Sequence, residues 1–146
     1  MISGQLKVDL TPLDGLRRSL VTKIMRKATT EAVRVVRTAI KSNAQAVRRY
    51  GFLAKSIGIK VKMYNGVAVG IVGPRTKYVK ARGSFARGEH KGQPRVARPS
   101  KYLHLIERGT KRSKARPILG PALDATKSQW VEVLSHALER GIAAEL

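Results

Sequence analysis

The stretch from Tyr102 to Leu123, YLHLIERGTKRSKARPILGPAL, constrains what this chain can fold into more than any other. A short apolar segment (Tyr102, Leu103, Leu105, Ile106) is closed by a lone carboxylate, Glu107, and broken by Gly109. A basic turn follows, with Lys111, Arg112, Lys114 and Arg116. Pro117 and Pro121 then bracket Ile118 and Leu119 and lead into a final helical pattern. Glycine frees the backbone at the break, and proline fixes φ on either side of the apolar pair. The stretch reads as a rigid corner with a charged rim, joining two packed elements.

The flanking sequence supplies those elements. Residues 1–10 alternate weakly through Leu6, Val8 and Leu10, as a short strand or extended arm does. Thr11-Pro12-Leu13-Asp14 has the cap, first-turn proline and acid of a helix start. Leu16, Leu20, Ile24, Ala28, Ala32, Val35 and Ala39 then recur at spacings of three and four, predicting one face of a helix that runs to about Val47. Its opposite face carries Arg17, Arg18, Lys23, Arg26, Lys27, Arg34, Arg37 and Lys41. Gly51 to Ile57 reads as a connector. Ile59, Val61 and Met63 alternate with Lys60 and Lys62, and Val67, Val69 and Ile71 follow Asn65-Gly66. That is a hairpin signal, with antiparallel strands at about 57–64 and 67–73 and one buried face. Residues 75–100 read as a long basic loop. A closing helix is predicted from Pro121 to about Ala144, packing through Leu123, Thr126, Trp130, Val133, Leu134, Ala137 and Ile142. The expected fold is α+β, one domain over 1–146: a long N-terminal helix and a C-terminal helix packed on a small antiparallel sheet.

Charge narrows the function. Thirty Lys and Arg against nine Asp and Glu give +21. Between Arg75 and Arg116, fourteen basic residues face only Glu89 and Glu107, a net +12. Such a density attracts polyanions and repels copies of itself, and nucleic acid is the natural counter-charge. The expected DNA-facing residues are Arg75, Lys77, Lys80, Arg82, Arg87, Lys91, Arg95 and Arg98, with Tyr78 and Phe85 among them to stack or to anchor the loop. Contacts of this kind position a duplex without reading its bases, and no sequence-reading motif accompanies them. The closing helix is acidic instead: Asp124, Glu132, Glu139 and Glu145 against Lys127 and Arg140. It either packs across the basic first helix or meets the basic surface of a neighbouring subunit. Expected subunit contacts are Glu107, Lys111, Arg112, Lys114, Arg116, Glu132 and Glu139.

Other classes are disfavoured. With no cysteine there are no disulfides or thiolate metal sites. No run approaches the ~18 apolar residues that cross a bilayer, and the first residues lack a signal-peptide pattern, so no membrane role and synthesis in the cytoplasm are expected. His90, His104 and His136 do not fall at ligand spacing, no phosphate-binding loop is present, and Glu107 is a lone acid better suited to a salt bridge than to catalysis. No catalytic residue, cofactor or metal is expected, and the chain does not read as an enzyme.

The corner carries a family resemblance. Lys101, Tyr102, His104, Leu105, Glu107, Gly109 and Thr110 form K-Y-x-H-L-x-E-x-G-T, and Ala115, Pro117, Leu119, Pro121, Ala122 and Leu123 continue it. The pattern resembles the small neck proteins of tailed bacteriophages, the tail-completion or head–tail joining proteins to which the minor tail protein Z group is similar. Ile118 departs from it where that family often has an aromatic, as does the basic stretch before Lys101. The resemblance implies a structural virion protein, made in the host cytoplasm, that completes the neck between head connector and tail tube or terminator. It implies a homo-oligomeric ring, a hexamer, around double-stranded genomic DNA. Composition by itself also suits a free-standing nucleic-acid-binding protein of nucleoid or ribosomal type. Tight, steeply salt-dependent DNA binding by a monomer would distinguish that reading.

Overall fold

The structure, a computed structural model, describes residues 18–46 and 51–145. In chain order the elements are α1 (Arg18–Ala46), α2 (Gly51–Ser56), β1 (Ile57–Tyr64), β2 (Val67–Pro74), β3 (Lys80–Ser84), β4 (Pro94–Ala97), α3 (Pro99–Arg108), α4 (Leu119–Ala125) and α5 (Lys127–Ala143). The architecture is α+β, as predicted. The arm expected over 1–10 and the helix start at Thr11–Asp14 lie outside the described residues.

Helix α1 is the spine. Its buried stripe is Met25, Ala28, Thr29, Ala32, Val36, Ile40 and Ala44. Val35 and Ala39, predicted to line the core, are half-buried flanks. The pairs Val35-Val36 and Ala39-Ile40 are apolar at both positions, so spacing cannot choose between them. Packing takes the larger member of the second pair and its neighbour one turn back.

The hairpin forms where predicted. Asn65 (φ 46°) and Gly66 (φ 83°) take the left-handed turn that Asn-Gly favours. Its register pairs Ile59 with Val72, Val61 with Gly70 and Met63 with Ala68. Directly opposed residues share a face. The face of β2 turned to α1 therefore carries Ala68, Gly70 and Val72, while Val67, Val69 and Ile71 lie on the outer face beside Tyr64, Lys62 and Lys60. The sequence pattern favours the larger residues for the interior, but α1 crosses too close for them. A Cβ at Gly70 would run into Val33.

Three segments differ from expectation. The predicted connector is helix α2, which plugs the core with Leu53 and Ser56, both fully buried. The Ser56 hydroxyl donates to the Leu53 carbonyl at 2.7 Å. The predicted long loop contains a second antiparallel pair, β3–β4, which pairs Lys80 with Ala97 and Ser84 with Pro94 around a bulge. Both faces of this ribbon are exposed, so no alternation of apolar with polar residues marks it. The closing helix is two helices, broken at Thr126, whose hydroxyl donates to the Ala122 carbonyl at 2.7 Å.

Among the described residues two clusters form the interior. The larger joins Val36, Ile40 and Ala44 of α1 to Leu53, Ala54, Ile57, Ile106, Ile118 and Ala122. The smaller sets Ala28 and Ala32 of α1 against Leu134 and Ala137 of α5, and Trp130 packs on both. Small residues let α5 lie close along α1: a Cβ on Gly141 would sit 2.6 Å from Ile24 Cγ2. The ion pair across this contact reverses the expected polarity. The acid, Glu31, comes from the basic helix, and the base, Arg140, from the acidic one, at 2.7 Å.

Candidate functional site

Chemistry on this scaffold is concentrated in three exposed surfaces. The first is the corner. Helix α3 begins with Pro99 at its first turn, buries Ile106 and ends at Gly109. Gly109 has φ 76°, and an added Cβ would meet the Ala115 nitrogen at 2.7 Å and the Ser113 oxygen at 2.9 Å. Only glycine fits there without displacing backbone. Beyond it the chain doubles back: Thr110 N–H donates to Ser113 O at 2.8 Å, and Arg116 N–H donates to Ile106 O at 2.8 Å. Glu107 Oε1 accepts from the backbone N–H groups of Ile118 (2.7 Å) and Leu119 (2.8 Å). The acid expected to meet a basic side chain or another subunit thus caps α4 within its own chain. Lys111, Arg112, Lys114 and Arg116 are exposed. The last three border a concavity of about 460 Å³ floored by Tyr102, Leu105 and Ile106.

The second surface is the β3–β4 ribbon. All residues from Lys80 to Val96 are exposed, and burial resumes at Ala97. Lys77, Lys80, Arg82, Arg87, Lys91, Arg95 and Arg98 all face solvent. Arg75 is placed differently. Its guanidinium donates to the carbonyls of Lys55 (3.2 Å) and Ser56 (3.4 Å), and it lies over the Tyr78 ring at 5.6 Å. It thereby ties the ribbon's base to the end of α2. At the tip, Gly92 N–H donates to Phe85 O and Phe85 N–H to Gln93 O. Arg95 lies 5.1 Å over the Phe85 ring, which also meets His90 at 6.0 Å. Phe85 is thus a support for the tip cations. Gly88 and Gly92, both at positive φ, were the one sequence signal that a turn closes here.

The third surface is the outer side of α5. Glu132 and Glu139 flank His136 at 4.0 and 3.5 Å, with side chains 73% and 74% exposed. Neither glutamate bonds to α1. Among the described residues no ion pair joins them to the basic corner of the same chain. Among the described residues no group of three or more His, Asp and Glu is placed to hold a metal ion, and no helix is long and apolar enough to cross a membrane.

The chemistry of the described scaffold lies in exposed charge around two modest cores. Residues 13–109 match the HK97-gp10-like family, described as "Bacteriophage HK97-gp10, putative tail-component". The match covers more than half of the chain, and the chain belongs to this family of bacteriophage tail components. No curated protein and no solved structure matches it. The matched region holds α1, the hairpin, the ribbon and α3, and it ends at Gly109. Lys101 to Gly109 of the corner motif lie within it, and Thr110 and Ala115 to Leu123 lie beyond. As a phage tail component the protein is a structural part of the virion and meets other virion proteins.

Proposed function

We propose that this chain is a non-enzymatic neck protein, made in the host cytoplasm, that completes the junction between head connector and tail. Copies assemble as a closed ring, sixfold by the neck resemblance, around the channel through which double-stranded DNA passes. The observation that carries this reading is the ribbon: seven solvent-facing cations, from Lys77 to Arg98, project from a core that does not need them. A two-stranded ribbon is slim enough to track a duplex groove, and its cations contact phosphates without base specificity. The outward acids Glu132 and Glu139, which satisfy nothing on α1, are available to a neighbouring subunit.

The test is a cryo-EM reconstruction of the assembled particle. Ribbons 80–97 lining the lumen beside DNA density are expected. Ribbons on the outer rim, away from DNA, would overturn the DNA role and leave the family assignment standing.

A further inference from the structure

Among the described residues, the outer face of the β1–β2 hairpin is open to solvent at Lys60, Lys62, Tyr64 and Ile71. It carries two parallel rows, Val67, Val69 and Ile71 on β2 beside Tyr64, Lys62 and Lys60 on β1. Tyr64 is 50% and Ile71 44% exposed. The free side of α5 has the complementary pair of rows. Val131, 41% exposed, and Leu138, half-buried where its inner side packs on the α1–α5 cluster, form one, and the adjacent Glu132 and Glu139 form the other.

We propose that the outer side of α5 in one copy packs on the outer hairpin face of the next, apolar row on apolar row and Glu132 and Glu139 on Lys60 and Lys62. The inference rests on the reading that copies of this chain assemble with one another. The dimensions agree: Val131 and Leu138 are two helical turns apart, about 10.5 Å, and Val67 to Ile71 spans about 13 Å of strand. The lysine stems are flexible enough to reach acids with that separation. The contact cannot form within one chain. Helix α1 packs on the inner face of the hairpin and α5 packs on α1, so a chain's own α5 lies on the wrong side of its sheet. A face on each copy therefore meets a different face on the next. Such a contact is heterologous, the kind that closes rings or extends filaments. It also gives the two-stranded sheet a helix on both sides, as layered folds require of an apolar sheet face.

The chain contains no cysteine, so introduced thiols report cleanly. Full-length protein carrying both Ile71→Cys and Val131→Cys should yield a ladder of disulfide-linked multimers on oxidation, and each single variant no more than dimers. Two charge variants test the second row by sedimentation at low salt. K60E/K62E and E132K/E139K should each weaken self-association at least tenfold, with thermal melts unchanged because all four side chains are exposed. An equimolar mixture should recover it to within about threefold, because an all-acidic copy then alternates with an all-basic one. Absence of the ladder, or wild-type association of either charge variant, overturns the proposal. Rings that survive both charge reversals would refute this contact while preserving the ring. A ladder from protein that builds no ring would refute the ring while preserving the contact.

Discussion

The carboxylate of Glu107 accepts the backbone N–H of Ile118 at 2.7 Å, so the last turn of α3 caps the start of α4 across a sequence separation of eleven. Leu119 N–H adds a second bond to the same oxygen. These are first-turn amides that have no partner within their own helix, and Ile118 itself is buried in the larger cluster. The bond therefore fixes both the basic excursion and the entry of the last two helices.

Removing that oxygen should destabilise the fold. Glu107→Ala is expected to cost about 1–2 kcal/mol, the usual range for a lost helix cap, and Glu107→Gln, which keeps an acceptor oxygen, about half of that. Urea unfolding of the purified protein measures both. Equal stability of all three proteins would show that water replaces the carboxylate without loss.

Gly70 and Val33 should behave as a coupled pair. Gly70→Ala forces a methyl group into Val33 and is expected to destabilise by about 1–3 kcal/mol, as overpacking does. Val33→Ala clears the space. A double-mutant cycle should therefore give a favourable coupling of about 1 kcal/mol or more. Additive losses would mean that α1 and β2 shift apart without cost.

The ribbon should separate DNA affinity from stability. Replacing Arg82, Arg87, Lys91 and Arg95 with serine touches exposed positions only, and stability should change by no more than about 0.5 kcal/mol per site. If all four contact phosphates, the slope of log affinity against log salt should fall by roughly 3–4. A fluorescence-anisotropy titration of duplex DNA at several salt concentrations measures this. An unchanged slope would assign the DNA attraction to cations elsewhere.

The Glu31–Arg140 pair should contribute little. Arg140 is mostly exposed, and a single pair of this kind is worth less than about 1 kcal/mol and is screened by salt. Arg140→Ala should therefore lower the melting temperature slightly at low ionic strength and not at all in molar salt. A large, salt-independent loss would point instead to packing of the arginine stem on α1.

What was legible in the sequence follows from which forces act locally. The Asn65-Gly66 turn was readable because its left-handed backbone is encoded in the two residues that adopt it. The corner was readable through Gly109 and the prolines for the same reason. The inward set of β2 was not, because it depends on how near α1 passes, and Gly70 shows this only once Val33 is in view. The ribbon is not legible because a strand pair wet on both faces leaves no hydrophobic alternation. Glu107 stands out in the sequence as the corner's lone acid. Its partners are backbone amides, which no side-chain pattern can reveal.

The attachment of the ribbon has a consequence for how such proteins diversify. Arg75 and Ala97 hold its base, and nothing farther out takes part in either core. Adding one residue to each strand would carry the tip outward by about 3.3 Å while leaving every buried residue where it is. The length of this arm is therefore a free variable of the design, adjustable to the width of whatever it must span.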